Sequence, residues 1–261
     1  MSKFIRYFAC LLTTWVLCSF YFPRMIHHFN KNVNQSKSDL ILHFTATVDG
    51  EPLRFRKNYT NAFNESFAVE KFKFYFGKAR LIDQNAHQES PLGGDDYALI
   101  DFTDSTSCSL KLSFRPGKYN AIQFLLGVDS IDNVSGAQTG ALDPSKGMFW
   151  TWNSGYVMAK LEGSSPQSNQ PAHTIAYHIG GFRQPDNTAR IINLLFPDKS
   201  DLETKASQTH VLFITADLKY WFDGKNPVHI KEIPTCTTPG KLARSISDNY
   251  AGMFSISRII N

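Results

Sequence analysis

The sequence predicts an all-β fold: a β-sandwich or flattened barrel of short antiparallel strands, closed by one short C-terminal helix. Three observations carry this expectation. Aromatic content is high, with 21 Phe and 10 Tyr among 261 residues, and aromatic side chains fit a pleated, half-buried surface. Apolar and polar residues alternate in several short runs, the period-2 mark of a strand with one face inward. Gly, Pro, Asn and Asp collect between those runs, where turns need them. A hydrophobic content of 42% with 19% charged residues is ordinary for a globular chain with one core. No internal repeat or second composition regime divides it, so a single domain over residues 40–261 is expected.

Two segments precede that domain. Lys3 and Arg6 stand ahead of an uncharged stretch from Tyr7 to Pro23 that includes Leu11, Trp15, Leu17 and Phe20. Basic residues before an apolar run describe an export signal. The stretch is also close to the lower limit of about 17 residues for a bilayer-spanning helix. Residues 1–23 therefore read as a signal peptide or N-terminal membrane anchor, which places the protein in the periplasm or cell envelope, tethered to the membrane. Cys18 adds a lipoprotein reading, although Leu17 stands where a lipid-attachment Cys normally follows a small residue. Residues 24–39 are polar, with little to bury, and read as a tether.

Within the domain, Leu42, Phe44, Ala46 and Val48 share one strand face, and Asp49-Gly50 supplies a turn. Phe72, Phe74 and Phe76 alternate with Lys71, Lys73 and Tyr75, the clearest strand signal in the chain. Leu110, Leu112 and Phe114 repeat it and stop at Pro116-Gly117. Further strands are expected over 119–128, 156–161, 173–179, 190–196 and 210–215. A turn of helix fits 217–222. A longer helix fits 239–253, where Leu242, Ile246, Tyr250 and Met253 share a face.

Charge and cysteine usage exclude some functions. A net charge of +4, with no basic cluster interleaved with aromatics, argues against nucleic acid as a partner. Cys108 and Cys236 are the only cysteines in the domain. An oxidising compartment permits a disulfide between them, and two separate thiols is the competing reading. No CxxC is present, which argues against a thiolate zinc site.

The block from Gly127 to Gly163 carries the most specific pattern. It contains Gly127-Val128-Asp129-Ser130, then Asn133 through Pro144, then Gly147-Met148-Phe149-Trp150-Thr151-Trp152-Asn153-Ser154-Gly155-Tyr156 and Lys160-Leu161-Glu162-Gly163. It closely resembles the signature of the MbnP-like family, the methanobactin-associated periplasmic copper-binding proteins. The likeness extends in order through Tyr59-Thr60-Asn61-Ala62, Tyr177-His178-Ile179-Gly180-Gly181-Phe182 and Trp221-Phe222-Asp223-Gly224 to the Asp248–Phe254 region. The resemblance implies a mostly-β periplasmic domain that binds a copper ion. In some relatives a di-haem peroxidase of the MauG type oxidises a Trp to kynurenine, which then holds the metal beside His side chains.

Residue by residue, the resemblance points to Trp152, with Trp150 second, as the modified residue, and to His178 as an imidazole ligand. Trp150 and Trp152 fall on one strand face. If 156–161 and 173–179 form a hairpin centred on Gln167, Tyr156 opposes His178 and Trp152 opposes Phe182, so all share a surface. Cu(I) and Cu(II) both accept imidazole. Some family members carry a His two residues before the Val of the Val-Asp-Gly turn, where this chain has Ala46. His43 is then the leading candidate for the second imidazole, ahead of His173, His229 and His87. Against these stands a structural reading, with His178 bonded to backbone, the Trp pair in the core and Met148 a gap filler. Asp129, Asp132, Asn133 and Asp143 are oxygen donors without EF-hand spacing and read as turn residues.

No GxSxG, HExxH, phosphate-cradling loop or catalytic Cys context occurs, so the chain is not read as an enzyme. The expected function is a copper-binding protein of the cell envelope. The alternative is a metal-free β-sandwich module that binds a protein or carbohydrate through an aromatic surface.

Overall fold

The computed structural model describes residues 36–151, 154–197 and 201–260. The expected signal or anchor over 1–23, most of the tether, and Trp152 lie outside these residues.

The first half of the domain is β1 (Ser38–Val48), β2 (Glu51–Pro52), β3 (Asn58–Thr60), β4 (Ser66–Asp83), β5 (Gln88–Pro91), β6 (Tyr97–Asp101), β7 (Ser109–Phe114), β8 (Gly117–Tyr119) and β9 (Ala121–Leu126). After a short helix α1 (Ser130–Val134) come β10 (Phe149–Thr151), β11 (Gly155–Ser164), β12 (Thr174–Gly180), β13 (Arg190–Leu195), β14 (Leu202–Thr204), β15 (Thr209–Asp217) and β16 (Thr235–Cys236). Helix α2 (Lys241–Tyr250) and β17 (Phe254–Ile260) end the described chain.

These strands form two main sheets whose apolar faces meet. The smaller runs β17-β15-β1-β2, with β7 also on β1. The larger is organised along β4, an 18-residue strand far longer than the short strands expected. Phe74 pairs with Ala159 of β11 and with Ile100 of β6, while Phe76 pairs with Leu126 of β9 and with Ala98 of β6. A residue has only two hydrogen-bonding edges. So β11 and then β9 follow one another along one edge of β4, and β6 lies along the other.

Alternation decides what each face does. Leu42 and Phe44 of β1 point inward and meet Phe72, Phe74 and Phe76 of β4, with Phe44 edge-on to Phe74 at 5.8 Å and to Phe76 at 5.3 Å between centroids. Such edge-to-face pairs add about 0.5–1.5 kcal/mol each beyond area burial. The turn after β1 follows from Asp49-Gly50, both at positive φ (50° and 79°). Their N–H groups donate to the Asp217 carboxylate at 2.8 and 2.9 Å.

Several expectations are corrected. The sheets are not wholly antiparallel, since β1 pairs with β15 and β12 with β16 in parallel. The domain begins before Leu40: Ser38 already belongs to β1, is 1% exposed and donates to the Lys205 carbonyl. In the α2 region, Ile246, Tyr250 and Met253 face the core as expected, but Leu242 is 36% exposed and Ala243 is buried in its place. Cys108 and Cys236 are separate buried thiols rather than a disulfide. Cys108 ends a 3-10 turn, Ser105–Cys108, that leads into β7, and Cys236 sits on β16, an edge of the larger sheet.

Candidate functional site

The outer face of the larger sheet carries the polar and aromatic side chains that the function can draw on, and it is built in two parts. One part is a small second core. Tyr75, on the side of β4 opposite Phe74 and Phe76, packs with Tyr97, Val128, Leu142, Met148, Tyr156, Val157, Met158 and Phe182. The segment between β9 and β10 lies over these rings as a cover. It leaves β9 at Gly127, whose N–H donates to the Tyr75 carbonyl at 2.9 Å.

Polar groups hold the cover down. Asn133, 1% exposed, donates to the carbonyls of Val128 and Asp129 and accepts from the Tyr156 N–H, each at 2.8 Å. The Tyr156 hydroxyl donates toward the Gly136 and Leu142 carbonyls and accepts from the Gln138 N–H. Asp129 caps α1, Asp143 caps the following 3-10 turn, and Lys78 pairs with both Asp129 and Asp132. The acidic residues thus do turn and cover work. Met148 is fully buried in this second core.

The other part is a polar row crossing four strands. Asp101 of β6 pairs with Lys73 of β4, Lys73 with Lys160 of β11, and Lys160 with His178 of β12. All four project outward, because their neighbours Phe72, Phe74, Leu161, Tyr177 and Ile179 fill the main core. Glu162, one step along β11 on the same face, ties the row together. Its carboxylate contacts His178 Nε2 at 2.7 Å, Lys71 Nζ at 2.7 Å and Lys160 Nζ at 3.7 Å. Lys73 binds Asp101 at 2.6 Å, and Lys160 donates to the Gly147 carbonyl in the cover at 2.6 Å.

This crowding sets the protonation states. Burial pushes the His178 imidazole below its ordinary pKa of 6.5; the Lys160 and Lys71 ammoniums add to that, against the opposing pull of Glu162. Burial also depresses Lys160, with Lys71 and Lys73 adding to it against Glu162. For Glu162 burial acts upward, but Lys71, His178 and Lys160 hold the carboxyl below its usual value. His178 is therefore neutral at pH 7, its Nε2–H donates to Glu162, and its Nδ1 carries the lone pair.

A pH dependence follows. The folded imidazole binds its proton less tightly than the unfolded one, so the unfolded chain gains protons first as pH falls. Stability should decline as pH drops below 6.5 and level off once His178 itself titrates. An NMR titration of the His178 Cε1–H is expected to show a midpoint below 6.5, and His178→Gln to flatten the stability slope between pH 6.5 and 5. A midpoint above 6.5 would mean that Glu162 outweighs burial and the lysines.

The residues expected at the site are partly brought together. Trp150 is on the expected face. Its ring lies over Gly180, two residues along β12 from His178, and a methyl group on Gly180 would fall 2.6 Å from Trp150 Cζ3. The expected hairpin register is wrong. His178 opposes Lys160, not Tyr156, because β11 runs on to Ser164, which pairs with Thr174, and a bulge intervenes between Val157 and Ala159. Tyr156 opposes Phe149 of β10 instead. The bulge nevertheless keeps Tyr156 on the outer face, in the second core.

His43 is not near His178. It projects outward from the smaller sheet, opposite in direction to Leu42 and Phe44, so the two imidazoles lie on opposite outer surfaces of the sandwich. His43 bonds Ser109 Oγ at 2.5 Å and packs on Phe213 at 5.2 Å. His173 bonds the Ser168 carbonyl, His229 packs on Phe63 at 4.1 Å, and His87 occupies the turn between β4 and β5. Among the described residues no three His, Cys, Asp or Glu side chains form a group able to hold a metal ion.

The fit to copper is thus limited to one ligand. A neutral imidazole whose N–H is fixed by a carboxylate is the arrangement metal-ligating histidines adopt. The described residues provide no second imidazole or thiolate beside it, and three lysines surround it. Sequence reasoning missed Lys73, Lys160 and Glu162 as site residues. The signal was present: Lys71 and Lys73 alternate with Phe72 and Phe74, and Glu162 has the opposite parity to Leu161.

Comparison with known proteins bears on the whole architecture. The family model MbnP matches residues 37–238, more than half of the chain. The solved structure of MbnP from Methylosinus trichosporium superposes with a TM-score of 0.56 at 14% sequence identity, over 85% of this chain and 98% of that one. At that identity the likeness concerns the fold. A search of curated proteins finds no match by sequence.

Proposed function

The chain belongs to the MbnP family, and from that premise we propose that it is a non-enzymatic copper-binding protein of the cell envelope, working through the outer face of the larger sheet. The observation that carries the proposal is the His178–Glu162 pair, which keeps one imidazole neutral and oriented beside Trp150. His178 would be the protein's imidazole ligand. Trp152 is the residue the family likeness marks for oxidation to kynurenine by a di-haem partner of the MauG type, and its arylamine nitrogen would be the second donor. Copper bound there would have an incomplete protein ligand set, which suits exchange with a partner better than storage.

A second reading draws on the same face: with three lysines around His178 and no three-ligand group among the described residues, the domain would be a metal-free module that engages a protein or carbohydrate through Trp150. Expression in the native envelope, followed by metal analysis and intact mass, separates them. Copper near one equivalent per chain, lost in His178→Ala, is expected from the first reading. Copper far below one equivalent sinks it, and a mass lacking the loss of one carbon and gain of one oxygen removes the kynurenine step.

A further inference from the structure

We propose that the protein has a second binding site, a cleft between β7 and residues 92–98, which takes a small organic cation with an apolar tail. The cleft has a volume of about 360 Å³, within the roughly 300–1,000 Å³ of small-molecule sites. It opens where the smaller sheet ends at β7 and the larger continues into β5 and β6. Phe76, Leu92, Leu110 and Leu112 give it an apolar floor.

The mouth decides the ligand's charge. Two lysines and two aspartates line it, but they are not equivalent. Lys78 is already bound by Asp129 and Asp132, and Lys111 by Asp39 at 2.8 Å. Asp95 and Asp96 are exposed, and among the described residues their carboxylates make no hydrogen bond or ion pair. The cations are thus neutralised and the two carboxylates are not, so the mouth attracts positive charge. An alkylammonium matches both halves, its chain on the leucines and its head between the carboxylates.

The lip of the cleft is held in place by backbone. Gly93 pairs with Ser113 through a bridge. Gly94, at φ +137°, lets the aspartates lie close over the floor, since a methyl group there would sit 2.9 Å from Leu112 Cδ2. The cleft shares Lys78 and Tyr97 with the edge of the second core, but its lining does not include His178, Glu162 or Trp150.

The test uses the whole domain with ¹³C-labelled leucine methyls, titrated with hexylammonium, hexanol and hexanoate. Hexylammonium is expected to shift the Leu92, Leu110 and Leu112 methyls saturably, more tightly than hexanol, and hexanoate to leave them unmoved. The double variant Asp95→Asn/Asp96→Asn, both on the surface, should weaken hexylammonium roughly fivefold, the scale of an exposed ion pair. Ala98→Leu, which adds bulk to the cleft wall, should abolish binding of hexylammonium and hexanol alike while the thermal midpoint reports that the fold is kept. Hexanoate or hexanol binding as tightly as hexylammonium overturns the assignment. So does an absence of saturable shifts, or hexylammonium affinity that survives both variants.

Discussion

Gly163→Ala is expected to be the most damaging single methyl addition in the larger sheet, lowering stability by about 3 kcal/mol or more, the upper range for overpacking. The added carbon would lie 1.9 Å from the Ala68 carbonyl oxygen and 3.0 Å from its carbon. Those atoms are backbone, so no side-chain rotamer relieves the clash. Nor can β4 move away, because Ala68 is also paired on its other edge with Asn58 of β3. Gly163 occupies the point where the β11–β4 register shifts between Glu162 and Gly163, and a strand bulged there brings backbone against backbone. Gly140→Ala is the control. Gly140 has φ +66° but nothing within 4 Å of an added methyl, so it carries only the left-handed cost of about 1 kcal/mol. Urea denaturation compares the two directly. Equal midpoints for both variants would show that β4 yields and that the steric argument is wrong.

Asn133→Ala should cost about 3 kcal/mol, and the loss should be local. The side chain serves three backbone groups at once, and its removal strands the Val128 carbonyl and the Tyr156 N–H in a buried setting, while the Asp129 carbonyl keeps the backbone N–H of residue 133 at 3.0 Å. Leaving one such group unsatisfied costs about 1–3 kcal/mol. Tyr156→Phe removes a hydroxyl with partners in the same cover, and about 1–2 kcal/mol is expected. Hydrogen exchange provides the discriminating measurement. In Asn133→Ala, amides over residues 127–150 should lose protection before those of β1 and β15. Uniform loss across the domain would instead make the cover part of one cooperative unit with the main core.

How much of this was legible in the sequence depends on the range of the interaction. The Phe72-Phe74-Phe76 alternation gave β4 its inward face, and the same parity placed Lys71 and Lys73 outside. The Asp49-Gly50 turn follows from local chemistry, and so does the Asp217 cap of the turn that follows it. The length of β4 was hidden because Gly77, which would weaken a strand on its own, is stabilised by pairing on both edges. Its bare α-carbon also makes room for the Tyr97 ring, a long-range fact with no local trace. The His178 register failed for a related reason. The loop from Ser165 to His173 is ordered by Ser165 and Ser168, whose hydroxyls bond the Ser66 and Thr174 carbonyls, so both strands run further than turn residues alone suggest. His43 could be assigned to the outward face of β1, but which surface that face formed depended on pairing with strands more than 60 residues away, as its bond to Ser109 shows.

The parallel pairing of β1 with β15 has a consequence for how the chain matures. β1 is among the first parts of the domain to be synthesised, yet along β1 one edge is completed by β15, and β15 in turn by β17. Bond partners such as Thr45 and Thr215 are 170 positions apart. Closing so long a loop is slow relative to local pairing, so a nascent chain cannot finish this sheet until β15 and β17 have been made. A truncation before Thr209 would leave Leu42 and Phe44 on a strand with an exposed, apolar edge, the kind of surface that recruits chaperones or aggregates. The smaller sheet therefore closes late in synthesis of the domain, when its last two strands join the first.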